Sequence, residues 1–119
     1  MYLIAAEAEN AVNGPAQAYQ YVNEIRKRAR VNKSDLTHVP DLENLTQDQF
    51  QKAVWKEWDW EMHQEGLSWM TMKRTNTFNR IQDQRGPSLT IKVGVYNQTW
   101  PIPIEEITNN NIPQNPLYQ

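Results

Sequence analysis

The sequence contains no cysteine. That absence excludes disulfides, thiolate metal ligands and a cysteine nucleophile. Glycine is scarce, with four residues in 119, and none of them opens a phosphate-cradling loop. The two histidines, His38 and His63, are too few for a histidine-rich metal centre. His63 and Glu65 lack the second histidine of a His-Glu-x-x-His site, so no metal is expected. Nothing points to a bound cofactor either. No apolar run approaches the roughly 20 residues of a membrane span. Basic residues are not in excess: 12 Lys and Arg face 14 Asp and Glu, for a formal charge of −2. Nucleic acid is therefore not an expected partner. The opening MYLIAAEAENAV has no basic start and holds Glu7 and Glu9, so it does not read as a secretory signal.

What is present reads as mainly α. A chain of 119 residues can build one modest core, and a single domain over residues 1–119 is expected. Tyr2 to Val12 is rich in Ala, Leu and Glu, which favour helix. It starts in mid-pattern with no capping residue ahead of it, as a piece of a longer chain would. It is apolar on nearly every side, so neighbours are expected to cover it. Asn13-Gly14-Pro15 ends this helix and starts the next. The second helix runs to about Arg30, with Ala18, Tyr19, Tyr21, Val22, Ile25 and Ala29 on one face. A turn this short makes the two an antiparallel hairpin. Residues 31–45 read as a loop. Thr46 to Gln49 is a capping box, with Leu45 and Phe50 at the staple positions. The helix that follows is expected to run to Gly66, with a short one from Leu67 to Arg74. Alternation over residues 89–95 predicts an extended segment. Ile104 to Ile107 can form one helical turn, and residues 109–119 should lie irregularly.

Four of the five tryptophans fall within residues 54–70, VWKEWDWEMHQEGLSWM. Phe50, Val54, Trp55, Trp58, Met62, Trp69 and Met72 share one arc if the helix continues past Gly66, and an aromatic stripe at helical spacing is core. Trp60 points to the opposite side, among Lys52, Lys56, His63 and Gln64. It is the one candidate here for contact with a ligand or another domain. Glu57, Glu61 and Glu65 repeat at helical spacing beside the arc. Glycosidase carboxylates flank a sugar from opposite sides, about 5 Å or about 6.5–9.5 Å apart, which neighbours on one helix cannot do. Carboxylates beside a core need cations. Arg26 and Arg28, at the apolar face of the second helix, are the nearest candidates, with Arg74. Structural ion pairs are therefore expected among Arg26, Arg28, Glu61, Glu65 and Arg74. No residue is a candidate catalyst.

Several stretches together resemble the SusD/RagB family. AEAENAVNGPAQAYQYVNEIRKRARV is similar to its helical hairpin, with Asn23, Ile25, Arg26, Arg28 and Ala29 in the Asn-x-Ile-Arg-x-Arg-Ala element. Glu57 to Glu61, Glu65-Gly66, Trp69 and Arg74 resemble its Glu-rich helix and closing arginine. Trp100-Pro101-Ile102-Pro103 with Glu106-Ile107 resembles its Pro-Ile-Pro-x-x-Glu-Ile box, and Gln114 to Tyr118 its Gln-Asn-Pro-Gly-Tyr end. The chain departs from the pattern at Trp58, Asp59, Trp60, Ser68, Thr71 and Leu117, which bears on the polar network rather than the fold.

The resemblance implies the C-terminal portion of a surface lipoprotein of the Bacteroidetes outer membrane. Such a protein binds oligosaccharides or peptides and serves a SusC-type TonB-dependent transporter. It is not an enzyme. Tetratricopeptide-like hairpins are implied, and membrane attachment only through an N-terminal lipid anchor outside this chain. The alternative is a helical-hairpin protein–protein interaction module without glycan binding.

Overall fold

The computed structural model describes residues 1–78 and 99–118. Its chain divides into two units, Met1–Ser68 and Trp69–Gln119. The described residues form five α-helices and a 3-10 turn, with no strand among them. The extended segment expected over 89–95 lies outside the described residues.

The first unit is built from α1 (Tyr2–Asn13), α2 (Pro15–Ala29) and α3 (Gln47–Glu61). Gly14 separates α1 from α2 at φ 82°, a left-handed conformation that other residues adopt only with strain. Its N–H closes on the Asn10 carbonyl at 3.1 Å, and Pro15 starts α2 where no N–H is needed. At α3 the Thr46 hydroxyl accepts the Gln49 N–H while the Gln49 side chain accepts the Thr46 N–H. Two N–H groups of the helix start are thereby satisfied.

The core is small: Leu3, Ala6, Ala18, Val22, Phe50 and Val54, with Tyr19, Tyr21, Ile25, Leu42, Leu45 and Trp58 packed against it. Tyr19 meets Phe50 edge-on at 5.0 Å between ring centres. Its hydroxyl accepts the Leu45 N–H at 2.7 Å, which ties the loop to α2.

The structure departs from the sequence reading at three places. The helix expected to reach Gly66 ends at Glu61. Gln64 and Gly66 take left-handed conformations, φ 66° and 74°, so the chain turns twice before α4. The single helix on which residues 50 to 72 would share one arc is therefore not formed. Second, α1 is not covered on all sides: Tyr2, Ile4 and Val12 are exposed. Third, Ala29 is exposed, because α2 ends there and the chain leaves the core face.

One buried polar residue fixes how α1 meets α3. Asn10 is 1% exposed. Its amide donates to the Gln47 carbonyl at 3.1 Å and to the Gln51 side chain at 3.3 Å. Asn10→Ala is expected to lower stability by about 1–3 kcal/mol, because these acceptors lose their donor in a dry site. Denaturant unfolding reads this directly, and an unchanged midpoint would show that the bridge is dispensable.

The second unit holds most of α4 (Leu67–Thr75), then α5 (Ile104–Asn110) and the 3-10 turn Pro116–Tyr118. Thr71, Met72 and Phe78 are buried, and Trp69 meets Phe78 edge-on at 5.0 Å. The tail is less irregular than expected. The Ile102 N–H donates to Gln114 Oε1 at 2.8 Å, and Gln114 Nε2 donates to the Ile102 carbonyl at 3.0 Å. Pro101 and Pro103 have no N–H, so Ile102 carries the one such group between them. Asn115 donates to Thr99 and Trp100, and the Tyr118 hydroxyl donates to the Thr99 carbonyl at 2.9 Å.

Candidate ligand-binding surface

Arg26 reaches across from α2 to α3. Its Nη1 donates to the Glu57 carboxylate, and its Nε donates to the Pro40 carbonyl at 2.6 Å. Both side chains are nearly closed to water, at 11% and 7% exposure. Burial pushes the Glu57 carboxyl above its ordinary 4.5, and the Arg26 charge opposes this without cancelling it. The Arg28–Glu61 pair lies one turn along, with Arg28 68% exposed. A pair that open contributes little.

Of the five residues expected in ion pairs, the structure brings Arg28 and Glu61 together. The partner of Arg26 is Glu57, a member of the same carboxylate stripe. Glu65 is exposed in the turn after α3, and Arg74 is exposed in the last turn of α4. A buried arginine escaped the sequence reading: Arg30, whose side chain is 4% exposed. It donates to the Val39 and Lys33 carbonyls and to Asp41, and so holds the loop against the end of α2. Helical phase places residue 30 only approximately, and nothing in the loop sequence signals which carbonyls turn toward it.

Trp60 is 57% exposed, and Lys56 Nζ stands 4.9 Å from its ring centre. That cation–π contact is worth about 0.5–1 kcal/mol at an exposed site. Trp58 is half-buried against the core, and its indole N–H has no partner among the described residues. It lines a cavity of about 370 Å³ with the apolar Leu3, Ile25 and Met62 and the charged Glu24, Arg28 and Glu61.

A larger and more polar cleft, about 530 Å³, runs along α2. Gln20, Tyr21, Glu24 and Lys27 line it from the helix, Tyr2 from α1, and Arg30 and Asp41 from the loop junction. Among the described residues no group of three or more His, Asp or Glu is placed to hold a metal ion, and no helix is long and apolar enough to cross a membrane.

These features define a mainly helical module whose open concavities carry tyrosines and hydrogen-bonding groups. The chain belongs to the SusD family, whose model matches residues 1–118. It is 32% identical over 115 residues to SusD-like protein P25 of Formosa agariphila, covering 94% of this chain and 21% of that protein. It is 31% identical over 121 residues to SusD-like protein P2 of the same organism, covering 98% of this chain and 24% of that one. The chain thus spans about a fifth to a quarter of the length of these relatives. No solved structure matches it significantly.

Proposed function

We propose that this chain is the C-terminal part of a surface protein that binds oligosaccharides, or peptides, and delivers them to a SusC-type TonB-dependent transporter. The observation that carries the reading is the family match over residues 1–118. The ordered motifs support it, and the structure gives two of them a physical role. Gln114, Asn115 and Tyr118 of the terminal motif bond the backbone of Ile102, Trp100 and Thr99, which ties the motif to the Pro-Ile-Pro box through Ile102. Arg26 and Glu57 join the hairpin motif to the Glu-rich helix.

In this reading α1 and α2 are a tetratricopeptide-like hairpin, and the full-length protein sits on the outer face of the outer membrane through an N-terminal lipid anchor. It works by binding, without catalysis. Glu57 and Glu61 are engaged by arginines, and their role is structural. The test is fractionation of cells producing the full-length protein, followed by affinity purification. Outer-membrane partition, sensitivity to external protease and co-purification of a TonB-dependent transporter are expected. A protein recovered without any transporter would contradict the reading.

One observation favours an alternative, a hairpin that only binds other proteins: the apolar residues Tyr2, Ile4 and Val12 exposed on α1. Glycan binding by the full-length protein separates the two readings.

A further inference from the structure

We propose that Asn13 is a site of spontaneous covalent modification, in which the Gly14 nitrogen displaces its side-chain amide, and that the folded hairpin keeps this reaction slow. Of the chain's asparagines only Asn13 is followed by glycine. Glycine has no Cβ, so nothing shields its backbone nitrogen from the preceding side chain. Space is not the reason for glycine here, since a Cβ at Gly14 would meet nothing within 4 Å. The reason is the left-handed φ of 82°. The backbone conformation that joins α1 to α2 therefore brings the reactive pair with it.

In the reaction the Gly14 nitrogen bonds to Asn13 Cγ and the Cγ–Nδ2 bond breaks. Ammonia leaves, carrying the proton of the Gly14 N–H, and a cyclic imide remains. Water then opens the imide. Addition at Cγ gives aspartate. Addition at the backbone carbonyl gives isoaspartate, whose main chain runs through Cβ and Cγ. Asn13 is exposed, so water reaches it.

Two hydrogen bonds oppose the first step. The Gly14 N–H donates to the Asn10 carbonyl at 3.1 Å, which holds its peptide plane along the helix axis and not turned toward Cγ. Asn13 Nδ2 donates to Glu9 Oε1 at 2.8 Å, which fixes the amide one turn back along α1. Nitrogen and amide meet only when the turn opens locally.

The products do not fit the turn. Aspartate at position 13 sets a second carboxylate four residues from Glu9, at the C-terminal end of α1, and both placements are unfavourable. Isoaspartate adds a main-chain atom where the Gly14 N–H must reach Asn10. Modification thus loosens the hairpin that supplies Leu3, Ala6, Ala18 and Val22 to the core.

The experiment is incubation of the chain at mildly alkaline pH, folded and in guanidinium chloride, with peptide mapping by mass spectrometry and enzymatic detection of isoaspartate. In the unfolded chain Asn13 is expected to convert ahead of every other asparagine. In the folded chain its conversion should be slower by about tenfold or more, because only the opened turn reacts. Glu9→Ala should speed the folded-state reaction about two- to tenfold, the factor of one net hydrogen bond. Glu9→Gln keeps an acceptor and should leave the rate near that of the wild type. The converted chain should unfold at a lower denaturant midpoint, and Asn13→Gln, incubated alike, should keep its midpoint. Equal rates folded and unfolded, an unchanged rate in Glu9→Ala, or earlier conversion of another asparagine in the unfolded chain would overturn the proposal.

Discussion

Glu57→Ala is expected to cost the fold about 3–5 kcal/mol, the range for breaking a buried pair by removing one partner. The cost comes less from the lost attraction than from what stays behind. Arg26 cannot discharge itself, and at 11% side-chain exposure it keeps only the Pro40 carbonyl. The converse follows from the same physics. Replacing both partners by apolar residues of similar size, Arg26→Met with Glu57→Leu, should cost far less than either alanine change alone. Thermal unfolding of the three variants decides it, and additive losses would contradict the account.

The pH dependence has a definite sign. Burial raises the Glu57 carboxyl, so between its ordinary 4.5 and its raised value the native state binds more proton than the unfolded chain. Its contribution to stability is therefore fully present below 4.5 and is lost as pH rises through the raised value. Glu57→Gln removes that slope, so the stability difference between wild type and Glu57→Gln should fall with rising pH. A difference that grows with pH would mean that the Arg26 charge dominates instead.

Phe50→Ala should cost about 3–5 kcal/mol, as truncation of a large core residue does. Phe50 is fully buried, meets Tyr19, and belongs to the helix whose start the capping box fixes. Trp58→Ala should cost somewhat less, since Trp58 is only half-buried. Trp60→Ala should cost under about 1 kcal/mol, the scale of its contact with Lys56. Calorimetric unfolding of the three variants gives the order. Equal losses for Phe50 and Trp60 would mean that the helix presents a different face to the core.

Where local chemistry dictates structure, the sequence was readable. Asn13-Gly14-Pro15 can hardly be anything but a helix–helix turn, and Thr46 with Gln49 marks a helix start. Helical phase separated Val54 from Trp60. Other features depend on groups that meet only in the folded chain. The early end of α3 rests on Gln64 in a left-handed conformation, which glutamine does not announce. The pairing of Arg26 with Glu57 rather than Glu61 is a matter of one helical turn in how α2 lies on α3, finer than wheel geometry resolves. The burial of Arg30 depends on loop carbonyls, and the cleft depends on where Tyr2 and Asp41 come to lie beside α2. No periodicity encodes either.

The central proposal is that this chain is a structural part of a glycan-binding protein, with Tyr19, Phe50 and Trp58 committed to packing. Calorimetry of the 119-residue chain and of the full-length protein, against one panel of oligosaccharides, tests it most directly. Lost translational and rotational freedom must be offset before any affinity appears, and an open cleft with few contacts offsets little more than that. The account predicts about millimolar binding or weaker by the chain alone, about −4 kcal/mol at best, and much tighter binding by the full-length protein. Micromolar binding by the chain alone, abolished by Trp60→Ala, would contradict it and make the exposed tryptophan the sugar platform.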